Sequence, residues 1–147
     1  MDARKPRAIL FTYTLDVEVR DEAAILARRK GDQHLSISPD TRYHFVTHAP
    51  EQLNSRPIVI GLGPAGLFAG LLLAQMGFRP LILERGKAVR ERTKDTWGLW
   101  RQGVLNPESN VQFGEGGAGT FSDGKLYSQI KDPRYLGRKV LEEFVKA

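Results

Sequence analysis

The sequence predicts an α/β fold organised around a parallel βαβ unit, and three observations carry that prediction. Ile58-Val59-Ile60 is a short apolar run of the kind buried in a parallel sheet. A glycine-rich turn follows it at once and opens into an apolar helix, from about Pro64 to Met76, that Gly77 closes. Leu81-Ile82-Leu83 then supplies a second short apolar strand. Strand, turn, helix and strand joined by short connections make a unit whose two strands run parallel.

The chain ahead of this unit reads as a small α+β segment, residues 1–53. Ala8 to Thr14 is rich in aliphatic, aromatic and β-branched residues and predicts a strand, which Asp16 to Val19 either continues or follows with another. Asp21 is placed as the N-cap of a short helix over Glu22 to Lys30, ended by Gly31. Tyr43-His44-Phe45-Val46 predicts a return strand, and a polar connector from Ala49-Pro50 to Arg56-Pro57 leads into the second segment, residues 54–147.

Beyond the βαβ unit, Lys87 to Arg101 predicts a helix with Val89, Thr93, Thr96/Trp97 and Trp100 on one face and most of the charge on the other. The two tryptophans read as packing residues. A long glycine-rich loop covers about Gly103 to Gly124. Asp132 and Pro133 then look like the N-cap and first residue of a helix carrying Leu136, Val140, Leu141, Phe144 and Val145.

With 147 residues, 41 % hydrophobic and 27 % charged, the chain falls in the globular class and has room for one domain and a small appendage. Its longest apolar stretch, Leu67 to Met76, is too short to span a bilayer, and no signal-peptide core follows the N-terminus. The chain has no cysteine. That removes disulfides, thiolate metal sites and cysteine nucleophiles, and it fits a cytoplasmic protein. The net charge of +5 comes from basic residues scattered among acids, without interleaved aromatic residues. Nucleic acid is therefore not the expected partner. His44 and His48 have the spacing of a helical metal pair, but Pro50 and the β-rich run argue against a helix there, and no third ligand is evident.

The chemistry concentrates at Gly61-Leu62-Gly63-Pro64-Ala65-Gly66, which fits G-x-G-x-x-G between a strand and a helix. Gly61 permits the tight turn, and Gly63 lets the backbone approach a pyrophosphate. Pro64 suits a first helical turn, and the free N–H groups of that turn, Ala65 among them, can hold a diphosphate at the positive end of the helix dipole. Gly66 lets helix and strand pack closely, and Gly70 and Ala74 continue the small-residue stripe. Glu84, about 20 residues past the glycines, stands where a carboxylate accepts hydrogen bonds from a ribose and repels a 2′-phosphate. This is the pattern of a Rossmann-type dinucleotide-binding domain. It offers an ADP site without separating FAD from NAD.

The run Ile58 to Gly86, with its Glu84-Arg85-Gly86 ending, resembles the N-terminal FAD fingerprint of flavoproteins related to glutathione reductase. The run from Asn106 to Leu126, with Gly114-Glu115-Gly116-Gly117-Ala118-Gly119-Thr120-Phe121-Ser122-Asp123-Gly124-Lys125, resembles a family of bacterial FAD-dependent dehydrogenases, as does Tyr43 to Val46 with Ala49-Pro50. The resemblance implies FAD as cofactor, an unidentified small-molecule substrate, and NAD(P)H as electron donor in longer members. It also implies backbone contacts to the cofactor from Gly116, Gly117, Ala118, Gly119 and Thr120, with polar contacts from Ser122 and Lys125, and adds Arg85 to the cofactor set. Because family members are longer at both ends, the resemblance implies the front part of a flavoenzyme, an incomplete Rossmann-type domain that binds FAD poorly alone. A non-catalytic dinucleotide-binding or interaction module and an NAD-binding enzyme are the alternatives.

Gly119 to Lys125 also fits the first seven positions of a P-loop, but the eighth, where Ser or Thr would hold Mg²⁺, is Leu126. No catalytic triad or carboxylate pair is evident, so no catalytic residue is assigned.

Overall fold

The computed structural model describes residues 10–122 and 130–147. The chain divides into two compact units, one formed by Met1–Arg42 with Arg138–Ala147 and the other by Tyr43–Gly137. Residues 43–53, grouped with the first segment in the sequence reading, thus fall in the second unit. The Ala49 N–H donates to the Met76 carbonyl (2.8 Å), tying this stretch to the end of the central helix.

The second unit is built on β1 (Ile58–Ile60), α2 (Pro64–Gln75) and β2 (Leu81–Leu83), and it follows α1 (Glu22–Arg28) of the first unit. β1 and β2 pair in parallel with Ile58 opposite Leu81, Val59 opposite Ile82 and Ile60 opposite Leu83. The ladder is extended at both ends by Leu81 N–H to the Pro57 carbonyl (2.8 Å) and Gly61 N–H to the Leu83 carbonyl (2.7 Å). The Arg56 guanidinium donates to the carbonyls of Arg79 (2.7 Å) and Pro80 (2.9 Å), holding the entry to β2 beside the entry to β1. Arg79 takes a left-handed conformation there, with φ 50°.

Helix α2 lies on one face of this sheet because its small residues let it come close. A Cβ at position 66 would stand 1.9 Å from the Gly61 carbonyl oxygen, and one at position 70 would stand 2.5 Å from Ile82 Cδ1. Val59 and Ile82 therefore face the helix. On the opposite face the strands are less covered than a buried parallel sheet requires: Ile60 is 87 % exposed and Leu83 48 %. The reason is the layer count, since among the described residues two strands and one helix enclose only one face.

α3 (Val89–Gln102) follows, then a 3₁₀ turn (Gly117–Phe121) inside the long loop, and α4 (Leu136–Lys146). The side chains buried on α3 are Arg92 and Thr96 rather than the tryptophans. Trp97 and Trp100 pack edge to face with each other (5.4 Å between ring centres), and Trp100 likewise with Phe121 (6.0 Å). Both indoles stay about half exposed.

Several expected elements are absent or displaced. Residues 10–14, 16–19 and 43–46 are not strands, and residues 10–53 contain α1 as their regular element, with an isolated bridge at Leu10, so the small α+β piece is not found among the described residues. Aromatic and β-branched composition describes a surface that packs well in a sheet; it does not supply the partner for the strand's N–H and C=O groups. α1 ends at Arg28, and Asp21 sits at its N-cap in a left-handed conformation with no side-chain capping bond. α4 begins at Leu136 instead of Pro133: Tyr135 is left-handed, while the Asp132 carboxylate caps the later start by accepting the Gly137 N–H (2.7 Å).

Among the described residues Met76 is the one hydrophobic side chain that is buried, whereas Arg92, Thr96, Ser109 and Asn110 are buried polar residues. The interior of the second unit is thus organised by hydrogen bonds and close backbone approach as much as by aliphatic packing.

Candidate glycine-turn pocket

The end of β1, the turn after it, the end of β2 and the glycine-rich loop after α3 (the second loop, described over residues 103–122) enclose a cavity of about 290 Å³ lined by Ile60, Gly61, Gly63, Leu83, Glu84, Arg85, Gln112, Phe113, Gly114 and Gly117. Gly61 leaves the strand with φ 96°, a conformation open to glycine, and Gly63 precedes the first turn of α2. The second loop closes onto this turn. The Gly116 N–H donates to the Leu62 carbonyl (2.8 Å), and a Cβ at position 117 would lie 2.9 Å from Gly63 Cα. The glycines therefore serve two purposes: one chain segment packs against another, and backbone borders the cavity.

Glu84 organises the pocket from its centre. Its Oε2 accepts the Leu62 N–H (2.7 Å), and its Oε1 accepts the N–H groups of Gly86 (2.8 Å) and Gly114 (3.1 Å). Backbone donors stabilise the charged form, led by Gly86 and then Leu62, and they hold this carboxyl below the usual glutamate range. A carboxylate has about four acceptor positions, and backbone N–H groups, with a smaller contribution from Arg85, occupy most of them here.

Arg85 turns away from the glycine turn. Its guanidinium lies over the Phe113 ring (4.1 Å to the centroid) and donates to the Pro107 carbonyl (3.0 Å) and to Glu108 (3.1 Å). Its stem and the Phe113 ring thereby form one wall of the cavity. Asn110 shapes the turn below: its Oδ1 accepts the N–H groups of Gln112 (2.9 Å) and Phe113 (3.2 Å), and its Nδ2 donates to the Asn106 carbonyl (2.9 Å).

The residue that sequence reasoning missed is Arg92. It is 0 % exposed, and its five N–H donors reach five oxygens. Nε donates to the Asn110 carbonyl (2.7 Å), one terminal nitrogen to the Glu115 carbonyl (2.6 Å) and Thr120 Oγ1 (3.2 Å), and the other to the carbonyls of Val111 and Gly117 (both 2.7 Å). One signal was legible. Arg92 lies four residues before Thr96, which the helical pattern already placed on the inner face.

Of the sequence-predicted residues, Gly61, Gly63, Glu84, Arg85 and Gly117 come together around the cavity. Pro64, Ala65 and Gly66 form the first turn of α2 behind it, and no carbonyl among the described residues accepts the N–H groups of Ala65 and Gly66. Gly116 joins the loop to the turn, while Ala118 and Gly119 lie in the exposed part of the 3₁₀ turn. Thr120 and Ser122 point their hydroxyls into the loop itself: Thr120 donates to the Glu115 carbonyl (3.0 Å) and Ser122 to the Gly119 carbonyl (3.0 Å). Lys125, and with it the end of the P-loop-like run, lies outside the described residues. Ile60, Leu83, Gln112, Phe113 and Gly114 line the cavity without having been singled out.

The His48 ring packs near Phe45 (6.1 Å), and among the described residues no three His, Asp or Glu side chains form a metal-binding group. No helix of the described residues is long and apolar enough to cross a membrane.

No family model matches the chain. It is similar to an uncharacterized protein of Clostridium beijerinckii, with 44 % identity over 147 residues, covering 100 % of this chain and 27 % of that one. The chain therefore spans about a quarter of the length of the curated relative it matches.

Proposed function

We propose that the pocket binds the ADP half of a dinucleotide, with FAD the intended cofactor, and that the βαβ unit opens a Rossmann-type domain of an FAD-dependent oxidoreductase acting in the cytoplasm. The observation that carries the reading is the Glu84 carboxylate at the end of β2, hydrogen-bonded across to Leu62 in a glycine turn that opens α2 directly from β1.

The residues present fit that ligand. Diphosphate oxygens would meet the N–H groups at the start of α2, where the helix dipole favours an anion. A ribose hydroxyl would share the Glu84 carboxylate with its backbone donors, and the charge disfavours a 2′-phosphate. The Arg85–Phe113 wall and the apolar Ile60 and Leu83 offer a flat surface for a base. A cavity of about 290 Å³ stands at the small end of ligand sites, which matches a nucleoside portion rather than a whole dinucleotide. Flavin, when bound, supplies the hydride or electron chemistry, with NAD(P)H the proposed donor. The preference for FAD over NAD rests on the resemblance of Glu84-Arg85-Gly86 and of the second loop to flavoproteins.

Calorimetric titration of the chain with ADP, FAD and NAD tests the proposal. Saturable 1:1 binding of ADP and FAD, abolished by Gly63→Val, supports it. Absence of binding by either ligand overturns it, and tighter binding of NAD than of FAD transfers the site to a nicotinamide enzyme.

A further inference from the structure

We propose that Arg92 is a positioning residue of this pocket, the buried counter-charge to Glu84, which fixes the second loop on the glycine turn and keeps the pocket open to a phosphate-bearing ligand. The inference rests on the dinucleotide reading and assigns, within it, what prevents the ribose-binding acid from repelling the diphosphate.

The two charges flank one residue. Glu84 Oε1 accepts the Gly114 N–H (3.1 Å), and a Cβ at position 114 would lie 2.4 Å from Arg92 Cδ. No carboxylate of the described residues is within ion-pair distance of the Arg92 guanidinium, whose five donors all go to neutral oxygens. Burial pulls the Arg92 group below its usual value, and the charge of Glu84 acts in the opposite sense. Arginine remains a cation under such conditions, because its guanidinium does not lose its proton in proteins. Glu84 and Arg92 are thus opposite charges that hold the same loop from either side of Gly114.

A neutral hydrogen-bonding side chain would anchor the loop without this electrostatic effect. Without the Arg92 charge, the Glu84 carboxylate would be offset at the pocket wall only by Arg85, itself paired with Glu108, and the cost of bringing a diphosphate to the neighbouring N–H groups would rise. Arginine is also the side chain with enough donors, in a fixed planar fork, to satisfy five acceptors at once. Lysine in its place keeps the charge and loses part of the scaffold, which separates the two roles.

The test measures ADP and adenosine affinities of the 147-residue chain and of R92K, R92M and the double variant E84Q/R92M, with amide hydrogen exchange on each. If Arg92 acts as proposed, R92M weakens ADP about tenfold more than adenosine. R92K weakens both ligands to a similar degree, and E84Q/R92M restores the ADP-to-adenosine ratio. Equal losses of ADP and adenosine in R92M would reduce Arg92 to a structural support and overturn the proposal. Exchange reads the loop without any ligand: faster exchange at Gly114 to Gly117 in R92K and R92M, with β1 and β2 still protected, supports the positioning role, and unchanged exchange there refutes it. If the unaltered chain binds neither ligand, the dinucleotide reading and the electrostatic role fail together, and the exchange result alone decides the positioning role.

Discussion

The glycine turn and the second loop border the same cavity, but they are held in different ways. Residues 58–66 owe their shape to their own backbone: a parallel ladder, a left-handed Gly61, and a helix that approaches until Gly66 meets the Gly61 carbonyl. Residues 106–120 contain one short 3₁₀ turn and take their order largely from side chains elsewhere in the chain, Glu84 after β2 and Arg92 on α3. A turn of the first kind can be recognised from its own residues. A loop of the second kind depends on one guanidinium, and a single substitution can release it.

The sharpest test of that contrast is R92M. It strands four backbone carbonyls and a hydroxyl that the guanidinium now satisfies, and should destabilise the fold by about 3 kcal/mol or more. Chemical denaturation would register this as a lower midpoint, and loss of the near-ultraviolet signal of Trp100 and Phe121 would show that the second loop is released. Next in size is Gly66→Ala. Its Cβ meets backbone that cannot swing aside, so helix and strand must separate, at about 2–3 kcal/mol by the same assay. Here the damage should fall on protection of β1 and β2, the reverse of the pattern in R92M.

A smaller effect is expected from acid. Glu84 and Asp95 are both held below their ordinary values, Glu84 by backbone donors and Asp95 chiefly by Lys87 and Ser109. Groups depressed in the folded state contribute stability that is present above the ordinary carboxylate range and is lost as pH falls through the folded-state value. The denaturation midpoint should therefore hold from neutral pH to about pH 5 and decline below about pH 4. Glu84→Gln should flatten that decline, and an unchanged slope would remove Glu84 as its source. The smallest effect is a gain. Gly98 lies inside α3, and a Cβ added there would meet nothing within 4 Å. Gly98→Ala should therefore stabilise the chain by about 0.5–1 kcal/mol, read as a rise in Tm.

How much of this was legible follows the same division. Both strands, the limits of α2 near Pro64 and Met76, and the role of Gly66 could be read directly, because each depends on residues within one turn or one strand length. The burial of Arg92 had only its four-residue spacing from Thr96 as a signal, because a charged residue on an amphipathic helix is ordinarily solvent-facing and its five acceptors come from a segment 18 to 28 residues away. Thr120, which the resemblance sets beside the cofactor through its backbone, has a hydroxyl that donates to the Glu115 carbonyl and accepts from Arg92, a loop-closing role its own neighbours in sequence do not announce.

The strand expected over Ala8 to Thr14, described from Leu10 onward, and the one expected at 43–46 mark the limit of composition. Leu10, Phe11 and Tyr13 have the residue types of a strand and remain largely exposed, and Tyr43 and Phe45 pack edge to face with each other (5.1 Å) without joining a ladder. By itself, the sequence determined the βαβ unit and its glycine turn, because backbone freedom and close approach are properties of the residues in place. Only the tertiary structure decided which charges are buried, which polar groups face the cavity and which apolar runs become strands. Those outcomes depend on partners contributed by distant parts of the chain.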